Sequence, residues 1–104
     1  MRLTYQKQIV EALMDGQWHE FEPIYAAVRH AIPKNLAIAE YGKRHAKSTE
    51  SEKVRVEKGK RRLVILTLIS MKYRNQVEGR GQPGEQQFRM PKDVIKVREA
   101  RKAA

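Results

Sequence analysis

The chain has 104 residues and a mass of 12.1 kDa, which is room for one domain with one modest hydrophobic core. It contains no cysteine, which excludes disulfides, thiolate chemistry and the common structural zinc sites. Its 22 basic and 12 acidic residues give a net charge of +10. Such a charge favours a nucleic acid or an anionic membrane as partner, because a basic protein releases counterions when it binds a polyanion.

The positive charge is unevenly distributed along the chain. Residues 1–33 hold three basic and four acidic side chains, whereas the remainder holds 19 basic and eight acidic ones. The partner is therefore expected on the C-terminal two thirds. No apolar run approaches the roughly 18–20 residues of a membrane span, and the N-terminus lacks the apolar segment of a signal peptide. We expect a cytoplasmic, nucleoid-associated protein that makes no membrane contact.

Two helices are predicted in the first third of the chain. Apolar residues recur at spacings of three and four over residues 4–15, and Asp15-Gly16 is a typical stop. Residues 17–21 alternate and predict a short edge strand or an extended connector, with Trp18 as a core residue rather than a base-stacking platform. A second helix is expected from Glu22-Pro23 to about residue 32, since proline is accepted at the first helical position.

Residues 34–48 leave two interpretations open. Leu36 to Tyr41 could form a short helix, whereas residues 42–47 are basic and expected to be solvated, with a contact to a DNA backbone as the alternative. Thr49-Glu-Ser-Glu52 matches the capping box and predicts the start of a helix. That helix runs to about Arg74, and Gly59 within it predicts a separate short helix or a kinked turn, because glycine costs roughly 1 kcal/mol in a helix interior.

The predicted helix that ends at about Arg74 is basic in its first half and apolar in its second half. A helix fits the major groove when one face carries donors and another is anchored in a core. The apolar half, with Leu68 and Met71, is the expected anchor. The strongest candidates for base or close phosphate contacts are Arg55, Arg61 and Arg62. The full set of expected DNA contacts in the basic half is Lys53, Arg55, Lys58, Lys60, Arg61 and Arg62.

A β-hairpin is predicted after the basic segment. Residues 76–78 and 86–90 are short strand candidates, and the loop 79–84 holds three glycines and a proline. Arg80 is expected at the tip of the loop, where it could approach a phosphate or enter a minor groove. Lys72 and Arg74 flank the base of the hairpin as further candidate contacts. Residues 91–104 could form a docked helix, a dimer contact or a loose basic tail.

The order of these elements resembles the winged helix-turn-helix superfamily over about residues 3–90. The stretch Leu68-Ile-Ser-Met-Lys-Tyr-Arg-Asn-Gln-Val-Glu78 is similar to the junction at which the family's recognition helix turns into the first wing strand. Asn75 stands where the family usually has glycine, and Gln76 where leucine is usual. The chain also resembles small DNA-binding proteins of actinobacteriophages.

The resemblance implies an α+β winged helix-turn-helix fold. It consists of a three-helix core and a C-terminal β-hairpin wing, with an extended connector before the recognition helix and a C-terminal helical segment. The expected division is a DNA-binding domain over residues 1–90 and a basic helix or tail over residues 91–104. The implied function is double-stranded DNA binding as a transcriptional regulator, with the recognition helix in the major groove and the wing on the backbone or minor groove.

An enzyme is not expected. There is no cysteine nucleophile, no phosphate-binding Walker loop and no acidic pair suited to acid–base catalysis, and no cofactor or metal is expected. The alternative is a winged-helix module that binds a host protein such as a polymerase subunit or nucleoid protein, because the apolar zone Ile65, Leu66 and Ile69 covers more than one helix side. A homodimer is also left open. Single-strand or RNA binding is disfavoured by the few exposed aromatic residues.

Overall fold

The computed structural model describes residues 4–82 and 84–103. This part of the chain contains five α-helices and a small three-stranded antiparallel sheet, so the expected α+β class is confirmed. None of these helices is both long and apolar enough to cross a membrane. The elements are α1 (Thr4–Ala12), β1 (His19–Glu20), α2 (Phe21–Val28), α3 (Lys34–Gly42), α4 (Glu52–Tyr73), β2 (Glu78–Arg80), β3 (Gln87–Arg89) and α5 (Lys92–Ala103).

The first third folds close to the prediction. Helix α1 ends at Ala12 and is followed by a turn, in which Gly16 adopts a φ of 72°. Helix α2 begins at Phe21, one residue before the predicted start, with Glu20 in extended conformation as its N-cap. A short 3-10 helix, Arg29–Ala31, follows α2.

Residues 34–42 form helix α3, so the short helix left open by the sequence is present and the extended connector of the expected fold is shorter than predicted. Ala37 and Tyr41 are buried on the inner side of α3, which is the driving force for the helix. Only residues 43–51 form a connector, and hydrogen bonds from Tyr41 of α3 hold it in place. The Tyr41 hydroxyl lies 2.8 Å from Ser48 Oγ and donates a hydrogen bond of 2.8 Å to Glu50 Oε2.

Two predictions about the start and continuity of α4 are wrong. The N-cap is Ser51, whose Oγ accepts a hydrogen bond from the Val54 amide at 3.4 Å, so Thr49 does not cap the helix. Gly59 does not interrupt α4, which continues to Tyr73. A methyl group at Gly59 would collide with the Ala37 carbonyl oxygen and lie 2.9 Å from Ala37 Cα. The glycine therefore permits α3 to pack directly on α4.

The sheet has the order β1-β3-β2. Phe88 on β3 faces His19 and Gly79 and is buried in the core. Because side chains alternate along a strand, Gln87 and Arg89 lie on the opposite, outer face. Arg80 is the last residue of β2 and pairs with Gln87, so it lies at the end of the strand and not, as predicted, at the tip of the loop.

One hydrophobic core joins helices and sheet. Its largest fully buried side chains are Ile9, Leu13, Ile24, Leu68, Met90, Val28 and Val64. Val94 and Ile95 of α5 pack against the same core, so the C-terminal segment is a docked helix. Trp18, predicted as a core residue, is only half-buried.

Candidate nucleic-acid interface

The six predicted cations of the basic segment lie on the first three turns of α4, but they do not share one face. At 3.6 residues per turn, Arg55, Lys58 and Arg62 follow one another along a single stripe. Arg61 projects toward α2, where it lies against the rings of Phe21 and Tyr25. The remaining pair, Lys53 and Lys60, are seven residues apart and occupy a third direction. The helix thus divides its cations into groups with different surroundings.

Arg61 is held by neighbours from α2. Its guanidinium carbon lies 5.3 Å from the Phe21 ring centroid and 5.0 Å from that of Tyr25. Its two Nη atoms contact the Glu22 carboxylate, one of them at 3.1 Å. The hydrogen bond to Glu22 raises the pKa of Arg61, and the same bond lowers the pKa of Glu22. The charge of Arg61 is therefore already compensated within the protein.

Lys58 is exposed, but it too has an acidic partner. Its Nζ lies 2.7 Å from Glu50 Oε1, while the other oxygen of Glu50 accepts from the Tyr41 hydroxyl. The bond from Lys58 and then that from Tyr41 lower the pKa of Glu50. Lys58 thereby ties the connector to α4, and its positive charge is partly offset.

Arg55 and Arg62 have no acidic hydrogen-bond or ion-pair partner among the described residues. Both side chains are half-buried. The Nε atom of each is shielded from solvent and has no hydrogen-bond acceptor among the described residues. The charges of these two guanidinium groups are therefore not compensated by a hydrogen bond or ion pair to a carboxylate of the described residues, which makes both arginines candidates for contact with a phosphate or a base edge.

An open groove of about 850 Å³ runs between α4, the start of α2 and the β2–β3 hairpin. Lys58, Arg61 and Arg62 line its helix wall, and Arg80 lines its hairpin wall. Three carboxylates also border the groove: Glu22, which is paired with Arg61, and Glu20 and Glu85. The four cations that the groove brings together were all predicted as contacts from the sequence.

Arg80 is fixed on the outer face of the sheet. Its Nε donates a hydrogen bond of 2.7 Å to Gln87 Oε1, and its guanidinium carbon lies 4.1 Å from the Trp18 ring centroid. Neither partner is charged, so these contacts leave the positive charge of Arg80 uncompensated. Gly81 follows with a φ of 94°, and a Cβ there would lie 2.5 Å from the Glu85 carbonyl oxygen. The hairpin thus turns directly behind Arg80, which borders the groove.

The two predicted contacts at the C-terminal end of α4, Lys72 and Arg74, do not line the groove. Lys72 is exposed and runs along β2, since a Cβ at Gly79 would lie 3.3 Å from Lys72 Cδ. Arg74 is the C-cap of α4 and borders another depression, between α1 and α4. Arg62 and Arg74 are 12 residues apart, or about 18 Å along the helix axis. Arg74 therefore does not belong to the groove.

Sequence reasoning missed the role of Trp18. It contacts both Arg80 and Arg89, the latter at 4.6 Å from ring centroid to guanidinium carbon. The sequence held one signal for this contact, the alternation of side chains along a strand. It places residues 18 and 20 on one face of the first strand region, and residues 87 and 89 on one face of β3. Which strands pair cannot be deduced from alternation alone.

The described residues contain no cluster of three or more His, Cys, Asp or Glu side chains that could hold a metal ion. The candidate site is therefore built from guanidinium, ammonium and aromatic groups around an open groove. Comparisons of the chain with models of protein families, with curated proteins and with solved structures find no match.

Proposed function

We propose that this chain is a winged helix-turn-helix protein that binds double-stranded DNA, with α4 as the recognition helix and the β2–β3 hairpin as the wing. The order α1-β1-α2, a helix that leads directly into β2, and a sheet of order β1-β3-β2 support this assignment. Helix α3 is an addition to the three-helix core. It packs on the Gly59 side of α4, while Lys58 and Arg62 still line the open groove.

The observation that carries the proposal is the position of Arg62 and Arg80 on opposite walls of one groove, each without an acidic partner. An α-helix about 10–12 Å wide fits the major groove, which is about 12 Å wide. With the Arg62 stripe in the major groove, the hairpin reaches the neighbouring minor groove or its backbone. One phosphodiester strand then runs along the groove between Arg62 and Arg80. Phosphate contacts of this kind position the protein, and Arg55 and Arg62 are suited to bidentate contacts with guanine.

The test is binding of a labelled duplex at two salt concentrations by the wild type, Arg62→Ala and Arg80→Ala. Each lost phosphate contact is expected to reduce the slope of log affinity against log salt by about 0.9. Lys7→Ala is the matched control, because Lys7 is an exposed cation on α1 outside the groove. Wild-type affinity and slope in both arginine variants would refute the assignment.

A transcriptional role requires sequence specificity in addition to affinity. We expect selection from a random duplex pool to yield a site bound at least about 10³-fold more tightly than bulk DNA. Arg55→Ala and Arg62→Ala should relax the selected consensus at the bases they contact, whereas Arg80→Ala should weaken all duplexes about equally. A pool that shows no enrichment after repeated selection would contradict the transcriptional role, although DNA binding itself would stand.

A second candidate function, a protein-binding module, is favoured by one observation. The exposed face of α4 continues beyond Arg62 with apolar side chains: Leu66 is 36% exposed, Ile69 37% and Tyr73 86%. Such a face suits a partner helix or a second copy of the chain. This function predicts no duplex binding by the wild type, and a stoichiometric protein complex, stable to nuclease, that Tyr73→Ala disrupts and Arg62→Ala does not.

A further inference from the structure

We propose that Trp18 is a positioning residue for the wing: it holds the Arg80 guanidinium in a fixed orientation for contact with a phosphate of the duplex. This inference rests on the proposed function and deepens it. It starts from the outer face of the sheet, where Trp18 is half-buried and outside the core cluster. A tryptophan in that position makes its contacts at the surface of the protein.

Two contacts define the orientation of Arg80. The Trp18 ring, 4.1 Å from the guanidinium carbon, is close enough for a strong cation–π contact and restricts where the guanidinium lies. The bond from Nε to Gln87 Oε1 fixes its rotation. Of the five N–H donors of an arginine, this bond uses one. The donors on the two Nη atoms remain for a bidentate contact with a phosphate.

Arg89 provides a comparison within the same cluster. Its guanidinium lies 4.6 Å from the same ring centroid, but its Nε and Nη2 both contact Glu78 Oε2, at 3.0 and 2.9 Å. The charge of Arg89 is therefore compensated and its donors are partly used. Trp18 thus contacts one arginine whose charge is paired with a carboxylate and one, Arg80, that is oriented but has no such partner.

Orientation before binding raises affinity because the side chain has less freedom to lose on contact. Removing the ring leaves the Arg80 charge in place but frees the side chain. Trp18→Leu is therefore expected to weaken duplex binding about three- to tenfold, and Trp18→Phe, which retains an aromatic face, to recover most of the loss. Arg89→Ala, the matched control, is expected to leave duplex affinity within about twofold of the wild type.

The decisive measurement is a double-mutant cycle of Trp18→Leu and Arg80→Ala in duplex binding. If Trp18 acts through Arg80, the loss caused by Trp18→Leu disappears when residue 80 is alanine. The same factor of loss in both backgrounds would overturn the proposal. Gln87→Ala gives a second route that leaves the ring intact: it frees the Arg80 Nε, and its expected loss of about two- to threefold should likewise vanish with Arg80→Ala.

An NMR measurement without DNA separates this inference from the proposed function. In the free wild type, the Arg80 Nε–Hε resonance should be displaced by the Trp18 ring current and protected from exchange by Gln87, and Trp18→Leu should abolish the displacement. An undisplaced wild-type resonance would refute the positioning role, even if the duplex binds. A displaced resonance in a protein that binds no duplex would refute the proposed function, and with it the role of Trp18 in it.

Discussion

At the scale of single residues, Gly59 determines how closely α3 approaches α4. Adding a methyl group would bring it into the Ala37 carbonyl, and a backbone group cannot turn aside as a flexible side chain can. An exposed helical glycine replaced by alanine would gain about 1 kcal/mol. At Gly59 the collision outweighs that gain, so Gly59→Ala is expected to lower the free energy of unfolding by about 2 kcal/mol, as measured by urea denaturation.

Gly42 is the matched control for this substitution. It is the last residue of α3, and a Cβ there would meet no atom within 4 Å. Gly42→Ala is therefore expected to leave stability unchanged or to raise it by up to about 1 kcal/mol. If Gly59→Ala were as stable as Gly42→Ala, the direct packing of α3 on α4 would be wrong.

The ion pair between Glu22 and Arg61 predicts a dependence of stability on pH. The hydrogen bond lowers the pKa of Glu22 in the folded protein, so the pair stabilises the fold above the ordinary glutamate pKa of about 4.3 and is lost as the pH falls through the lower folded value. Glu22→Gln should reduce the urea midpoint at pH 7, and the difference from wild type should shrink at an acidic pH below the ordinary glutamate pKa. Glu85→Gln is the control: the Glu85 side chain is exposed and makes no ion pair with a described residue, so no difference is expected at either pH.

At the scale of elements, the start of α4 depends on one hydroxyl. Ser51 Oγ accepts from the Val54 amide at 3.4 Å, a long hydrogen bond, so Ser51→Ala is expected to cost about 0.5–1 kcal/mol of stability. Thr49→Ala, two residues earlier, removes a similar hydroxyl and is expected to cost nothing measurable. Thermal or urea denaturation of the two variants compares them directly. A larger loss for Thr49→Ala would restore the capping box and displace Ser51 as the N-cap.

The same element illustrates what the sequence could predict. The apolar spacing of Leu68 and Met71 is local, and both residues are buried as the sequence predicts. The continuity of α4 at Gly59 depends on Ala37, and the compensation of Arg61 depends on Glu22, 39 residues away in sequence. Contacts over such separations leave no periodic signal. The basic segment was thus predictable as a group, whereas the division between paired and unpaired cations was not.

At the scale of the whole molecule, the acidic N-terminal third supplies partners for the basic remainder. Glu22 on α2 pairs with Arg61 on α4, and in the reverse sense Arg29 pairs with Glu57, 3.1 Å away. Glu57 also accepts from the Tyr25 hydroxyl at 2.7 Å, and burial, followed by this bond, raises the pKa of Tyr25. These contacts fasten α2 to α4 on one side. Arg62 and Arg80, which line the groove, have no ion-pair partner among the described residues.

Helix α5 provides a test of how far this single packed unit extends. Ile95 packs on the core and its Cδ1 would lie 3.2 Å from a Cβ at Gly16, whereas Val97 is 51% exposed. Because Ile95 is only partly buried, Ile95→Ala is expected to lower the free energy of unfolding by about 1–2 kcal/mol, below the range for fully buried isoleucine. Val97→Ala, on the same helix, should change it by less than about 0.5 kcal/mol. Urea denaturation followed by circular dichroism should give a single transition for both variants. If Ile95→Ala matched Val97→Ala in stability, α5 would be an appendage, and the cooperative unit would end with β3.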